Sequence, residues 1–411
     1  MLYYSTANPR HRVSLLEAVG RGLPPDGGVY MPERLPFIPK AFFNNMADMS
    51  LKDIGYVVAN TLFGEDIAAA DLKQIVAEAI NFDTPLIPDP DNSGMYALEL
   101  FHGPSGSYKD FGARFMAHTL RRIHCPDSQL NIIVATTGDA GEAVAHSFFG
   151  MPGTRVFILY PHVGTGMRQL SSFASLGGNI VPIEVRGSFA HCHDMVKSVF
   201  ADHSIGRSMK LFAANSFNLA RLLPQTIYYF YAYAQLMRSG ADLSRLVITL
   251  PSGNLGNLTA GLIAKRMGLP ASRIISVRTG EPDSFHSFIH QNLKPARIDD
   301  SGVPPNFWRL LDLYDGNRDN ILADSGSIML SPDTEASVSA GAGVGSIDRY
   351  SAAARHALSG LGNEASTRLY LATSIAPTAT SDQRRVPFRP AATLPPSPAL
   401  FREFLLSYRH N

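Results

Sequence analysis

Cysteine, tryptophan and surplus charge are all scarce in this chain: 411 residues hold two cysteines, one tryptophan, and 36 basic against 35 acidic side chains. Two thiols, Cys125 and Cys192, are too few for a disulfide framework, so the fold must stand on its own core. Balanced charge leaves no net field to draw nucleic acid or an anionic membrane, which makes a small-molecule ligand the default partner. Long apolar runs are missing too; even Val156 to Tyr160 is closed by Pro161 and His162, so no membrane span is expected. From Met1 to Gly20 the chain carries Arg10, Arg12 and Glu17 where a leader peptide needs an apolar stretch. A cytoplasmic protein with reduced thiols and no metal site is therefore expected.

What is present is a chain 45% apolar and 17% charged, long enough to bury a sizeable core in two domains and a smaller appendage. From about residue 95 onward, short apolar and often β-branched runs alternate with helical ones, the pattern of an α/β fold with largely parallel sheets. Residues 131–136, 156–160, 180–185, 246–250, 274–277 and 369–372 read as buried strands. Amphipathic spacing predicts helices over 110–124, with Phe111, Phe115, Met116, Leu120 and Ile123 on one face, and over the long apolar stretch 219–237. Residues 1–94 read as a mostly helical leading segment, 95–214 as a smaller α/β domain, and 215–380 as a larger one. The Asp, Gly and Ser content of 315–345 suits loops rather than core. A proline-studded tail over 381–411 ends in a short amphipathic helix around 401–408, with a role in packing across the surface.

Three segments carry candidate chemistry. In LPSGNLGNLTAG, from Leu250 to Gly261, a buried strand runs into Gly253, Asn254, Leu255, Gly256 and Asn257 before a helix begins. Glycines there let the backbone approach a phosphate, and the helix start presents unpaired N–H groups; a capped strand-to-helix turn is the equal alternative. A dinucleotide fingerprint fits worse, because GNLGNL lacks its glycine spacing. A second turn, Thr136, Thr137, Gly138, Asp139, Ala140 and Gly141, would also hold an anion, although taken alone it is better explained by N-capping by Asp139 with its hydroxyls satisfied locally. The third segment, LELFHGPSGSYKDFGARF, sets Lys109 between a loop and a helix. Phe101, Tyr108 and Phe111 would desolvate that amine and leave it free to form an imine, whereas a lysine at such a place is more often simply solvated.

Taken together, these segments resemble the threonine synthase family of pyridoxal-phosphate enzymes. The family's His-Gly-Pro-Thr and Lys-Asp-Phe-Gly-Gly-Arg-Phe are matched by His102 to Ser105 and Lys109 to Phe115. Its Schiff-base lysine falls on Lys109, its substrate-carboxylate loop on Thr136 to Gly141, and its cofactor-phosphate loop on Ser252 to Gly256, in the same order and at the same intervals. Similarity continues through Leu176 to Asn179, Ala214 to Arg221 and Thr259 to Leu269. The resemblance implies a two-domain α/β architecture of the second pyridoxal-phosphate fold type, tryptophan synthase β-like, with pyridoxal 5'-phosphate between domains and a helical N-terminal segment. It implies Thr373 as the hydroxyl facing the pyridine nitrogen, and Asn257 beside the cofactor phosphate. It also implies Ser105, Arg114, Arg168, Asn215 and Arg221 as substrate-side residues along with the carboxylate loop. The implied reaction turns O-phospho-L-homoserine and water into L-threonine and phosphate, in a monomer or homodimer.

Departures from the family pattern gather on the substrate side. Thr137 and Ala140 replace a serine and a threonine, so the carboxylate loop lacks one hydroxyl. Gly164 and Gly166 stand where the family has a lysine and a serine, with Arg168 close by as a substitute cation. Arg297 to Ser301 are altered, and Ile375 and Ala376 replace His-Pro. Three readings stay open: the family reaction, elimination or replacement on another amino acid in a specialised pathway, and a non-catalytic cofactor-binding paralogue.

Overall fold

A computed structural model describes residues 1–123, 129–162, 171–251, 253–279, 304–330, 349–361, 365–374 and 390–409. The chain opens with β1 (Tyr3–Ser5), β2 (Asn8–Val13), α1 (Leu15–Arg21) and β3 (Tyr30–Pro32). These strands form a three-stranded sheet in the order β2-β1-β3, antiparallel at both pairings. Then come α2 (Lys40–Asn45), α3 (Leu51–Phe63), α4 (Ala69–Ala79) and β4 (Leu86–Pro88). Ser50 caps α3 in a reciprocal box with Asp53, and Ile54, Val58, Leu62 and Phe63 form its buried stripe. The leading segment thus holds helices, as its periodicity suggested, and also a small sheet. Its strands are too short and polar to read: in β2 only Val13 is buried.

Next come β5 (Met95–Glu99), α5 (Lys109–Ile123), β6 (Leu130–Ala135), α6 (Asp139–Phe148), β7 (Thr154–Pro161), α7 (Ser171–Ala174), β8 (Ile180–Val185), α8 (Phe189–Ala201), α9 (His203–Ser208) and β9 (Leu211–Ala213). The rest of the chain supplies α10 (Leu219–Leu222), α11 (Thr226–Arg238), β10 (Leu246–Pro251), α12 (Gly256–Arg266), β11 (Arg273–Thr279), α13 (Pro305–Leu313), α14 (Arg318–Asp324), β12 (Ser325–Leu330), α15 (Arg349–Ser359), β13 (Thr367–Ala372), β14 (Ala392–Leu394) and α16 (Pro398–Ser407).

Two larger sheets result. One has the order β12-β11-β10-β13-β5-β4, parallel throughout except for β4. The other, β14-β8-β7-β6-β9, is wholly parallel. Side chains alternate across each strand, so both faces must be covered. In β6, Ile132 and Val134 join the main core, while Ile133 faces a second cluster with Phe157, Ile183, Met195, Phe401 and Leu405. In β10, Ile248 and Leu250 face the main core, and Val247 meets the alanine face of α15.

Three expectations need correction. Residues 95–99 do not join the smaller sheet: β5 pairs with β13 and β4, so the larger sheet begins at β4, before residue 95. The 315–345 stretch is not all loop, because α14 and β12 lie in it; β12 runs parallel to β11, and its Ser325 is buried with its hydroxyl on Ile321 O at 2.5 Å. Its remainder, 331–345, lies outside the described residues. The tail does more than lie on the surface, since β14 extends the five-stranded sheet beside β8 and α16 buries Phe401 and Leu405. Among the described residues no helix is long and apolar enough to cross a membrane, and no group of His, Cys, Asp or Glu could hold a metal ion.

Candidate active site

The three loops singled out in sequence all leave the carboxyl ends of parallel strands. The 100–108 loop follows β5, Thr373 follows β13, and the 253–257 turn follows β10, so three neighbouring strand ends of one sheet carry them. The 136–141 turn follows β6 of the other sheet. Strand carboxyl ends are where open α/β sheets leave a crevice for ligands.

Backbone pairing fixes Lys109 against Thr373. Leu100 N donates to Ala372 O and Tyr108 N to Thr373 O, each at 2.9 Å, and Ser107 bridges Ser374, so the loop is stapled to the end of β13 at both of its ends. Lys109 then starts α5, and its half-buried Nζ lies 3.3 Å from Asp139 Oδ2 across the two sheets. The ring of Tyr108 is 5.8 Å from that nitrogen. Phe111, expected beside the amine, points into the core instead, edge-on to Phe82 and Tyr228. It is the second residue after Lys109 on a helix, a separation that turns it to another face.

Next to Lys109, Asp110 is fully buried and accepts a 2.8 Å bond from Ser105 N. Burial pushes its carboxyl up to about 6, against the opposing pull of the Ser105 amide and of Arg114 and Arg221. Asp110 Oδ1 and Ser105 Oγ are both buried, and the Ser105 hydroxyl adds to the pull of its amide on the Asp110 carboxyl. Arg221 is 3% exposed, donates to Ala214 O at 2.8 Å, and burial draws its guanidinium down to about 10. Tyr108 and Asp110 lie within its electrostatic reach.

At the end of β6, Thr136 Oγ1 accepts from Gly138 N and Gly141 N at 3.1 and 3.0 Å and donates to Gly138 O. Its hydroxyl therefore shapes the turn and takes the Gly141 amide, while the N-cap residue Gly138 has no side chain to take the amides before it, which leaves these beside Thr137 for a ligand. Gly141 is required by this closure, since a Cβ would stand 2.4 Å from Thr136 Cγ2.

The turn after β10 places Leu255 in the left-handed region at φ 60° and starts α12 at Gly256. Asn254 Oδ1 accepts from Gly256 N at 3.0 Å, and its Nδ2 donates to Ser216 Oγ at 3.2 Å. The buried Asn257 takes the hydroxyls of Tyr228 and Tyr229 on Oδ1 at 2.6 and 2.8 Å. Thr373, 4% exposed, is held by Ser351: its N–H donates to Ser351 Oγ at 2.9 Å, and that oxygen lies 3.5 Å from Thr373 Oγ1.

Comparison with known proteins agrees with this geometry. The family described as "Threonine synthase N terminus" matches residues 2–80, and that described as "Pyridoxal-phosphate dependent enzyme" matches residues 78–331. Threonine synthase of Haemophilus influenzae is 37% identical over 339 residues, covering 80% of this chain and 78% of the relative. The chain belongs to the threonine synthase family of pyridoxal-phosphate enzymes. The crystal structure of threonine synthase from Escherichia coli superposes with a TM-score of 0.84 at 30% identity, over 99% of this chain and 100% of that one. Pyridoxal-phosphate-bound threonine synthase from Brucella melitensis has the same fold, with a TM-score of 0.82 at 24% identity, over 100% of this chain and 99% of that one.

The residues present fit the family's cofactor. Asn257 Nδ2 is buried at the first turn of α12 with no acceptor, and a side chain at Gly253 would meet nothing within 4 Å, which leaves room beside the turn. Two of the expected substrate-side residues also make local bonds. Arg114 donates from Nε to Ala79 O and from Nη2 to Glu78 O and Asn81 Oδ1, tying α5 to the end of α4. Asn215 Oδ1 caps the amide of Phe217, so its carbonyl is taken up locally. Ser252, Gly164, Gly166, Arg168, Arg297 to Ser301, Ile375 and Ala376 lie outside the described residues. Sequence reading met Asp110 and Ser216 only inside the Lys109 to Phe115 and Ala214 to Arg221 matches and gave no sign of Ser351, whose contact with Thr373 joins segments 22 residues apart.

Proposed function

We propose that the chain converts O-phospho-L-homoserine and water to L-threonine and inorganic phosphate, with Lys109 as the residue that holds pyridoxal 5'-phosphate and moves protons. The observation that carries this reading is the meeting of Lys109 with the 136–141 turn, 3.3 Å from Asp139, at strand ends that also bear the 253–257 turn and Thr373. The turn at 253–257 would hold the cofactor phosphate through backbone amides and Asn257 Nδ2, and the Thr373 hydroxyl, backed by Ser351, would face the ring nitrogen. When bound, the cofactor supplies the electron sink that stores negative charge from Cα.

The remaining work falls to the protein. In this reading the substrate carboxylate rests beside Thr137 on the α6 amides that Thr136 leaves open, and the substrate amine takes the place of Lys109 on the cofactor. The freed Lys109 amine takes the proton from Cα and serves Cβ, while the Cγ–O bond breaks and phosphate leaves. Water adds its oxygen at Cβ, and protons return to carbon, so that substrate plus water equals threonine plus phosphate. Buried Arg221 would supply the cation, and Ser105 a hydroxyl donor, for the substrate phosphate.

A second reading keeps the cofactor and changes the amino acid; Ala140, on the first turn of α6 where the family has a hydroxyl, favours it. Purified enzyme with O-phosphohomoserine decides between them. Release of phosphate and threonine in equal amounts supports the first, whereas no threonine together with a spectral change on adding other amino acids selects the second. We place the protein in the cytoplasm as a monomer or homodimer, which sedimentation would measure.

A further inference from the structure

Behind the 253–257 turn lies a charge that the mechanism above does not use. Arg309, on α13, is wholly buried. Its Nε and Nη2 donate to Tyr30 O at 3.1 Å, Nη2 also to Phe217 O at 2.7 Å, and Nη1 to Asn306 Oδ1 at 2.8 Å. Every one of these acceptors is neutral. Asp312, one turn further along α13, acts on it only through space and is itself engaged by the Tyr4 hydroxyl at 2.5 Å. A guanidinium buried among neutral acceptors is an expensive arrangement unless an anion balances it. Burial shows in its acidity, drawn down to about 9.

The network leads straight to the cofactor turn. Asn306, also fully buried, donates from Nδ2 to Asn254 O at 3.1 Å. In a trans peptide the carbonyl and the following N–H point opposite ways, so pinning Asn254 O toward α13 turns Leu255 N–H to the other side. Leu255 sits there in the left-handed region, which is unfavourable for a non-glycine residue and must be held by its surroundings. Phe217 O, an Arg309 acceptor, adjoins Ser216, which takes the other end of Asn254. The turn itself, Gly253 to Asn257, contains no cationic side chain to answer a phosphate dianion.

We propose that Arg309, acting through Asn306, is a positioning residue for the cofactor phosphate: it holds the 253–257 turn in its anion-binding form and supplies the positive charge that the turn lacks. The proposal rests on the reading of that turn as the phosphate site. The test uses full-length protein stripped of cofactor and titrated with pyridoxal 5'-phosphate and, separately, with pyridoxal, which lacks the phosphate; imine absorbance reports binding. Wild type should prefer the phosphorylated aldehyde strongly. Arg309→Met should lose about tenfold to a hundredfold in affinity for pyridoxal phosphate, the scale of a lost charged hydrogen bond, with pyridoxal affinity changed less than about twofold. Arg309→Lys should restore part of the preference, and Asn306→Ala should lose part of it; these two carry the test if the Met variant does not fold. Equal losses for both aldehydes, or an unchanged preference in all three variants, would overturn the role of Arg309. A wild type that does not distinguish the two aldehydes would instead overturn the placement of the phosphate at this turn.

Discussion

Lys109 owes its standing to its neighbours. Its half-buried amine is held between a staple to β13 and the carboxylate of Asp139, so two sheets agree on its position. Replacement by alanine removes both the imine-forming nitrogen and the base, and turnover should fall at least about a thousandfold while the fold persists. Borohydride treatment of wild type should bleach the cofactor and label Lys109; label on another lysine would sink the assignment. Asp110 offers a second test at this scale. Its native carboxyl titrates near 6, above the usual value of 3.8, so folding favours the protonated form. The stability that this proton contributes is complete below about pH 4 and is lost as pH rises through 6. Asp110→Asn, which stays neutral, should therefore gain on wild type by on the order of 2–3 kcal/mol between pH 4 and pH 7.5. Denaturant melts at the two pH values measure the gap, and a gap that stays constant would contradict the burial argument.

At the scale of elements, the site depends on how closely α5 approaches α10. A Cβ on Gly112 would stand 2.0 Å from the carbonyl oxygen of Arg221, a backbone atom that cannot swing aside. Gly112→Ala should force the helices apart, cost about 1–3 kcal/mol or more, and raise KM for the phosphorylated substrate by moving Arg221. Calorimetry with steady-state kinetics would check both; an unchanged KM would separate Arg221 from the substrate. The sequence made Gly112 visible only as part of a family motif, because the clash is with a residue more than a hundred positions away. Strands were legible where burial on both faces made them continuous and β-branched: 180–185 is found as read, and β6, β7, β10, β11 and β13 overlap their expected spans. Those that escaped, such as β9 (LFA) and β12 (SGSIML), are short or open with small polar residues, and only a neighbouring strand makes them pair. The site divides the same way. Glycine-rich turns announce themselves locally, whereas the burial of Asp110, Arg221 or Arg309 is a tertiary fact that composition conceals, and the motif position of Arg114 says nothing of the bonds its long side chain makes to the end of α4.

For the whole molecule, the arrangement separates the site from the support of the smaller sheet. The main core runs beneath α5, α6 and α11, whereas the far face of β6, β7 and β8 is covered by α8 and α16 in a cluster of its own. The chain returns more than two hundred residues after β8 to add β14 to the edge of that sheet, and Arg402 fastens α16 to Asp202 at 2.7 Å. An edge strand covered in this way is also protected from pairing with another molecule. Phe401 is fully buried in the far cluster, and truncation to alanine should leave a cavity costing about 3–5 kcal/mol. Because the cluster lies on the face of the sheet away from α5 and α6, Phe401→Ala should lower the melting temperature and leave KM and cofactor affinity within about twofold of wild type. Saturating pyridoxal phosphate should still raise the variant's melting temperature by nearly the wild-type increment, since that increment depends on the ratio of ligand concentration to affinity and not on the starting stability. If the mutation instead weakens cofactor binding, the two faces of the sheet are coupled and the tail belongs to the machinery of the site.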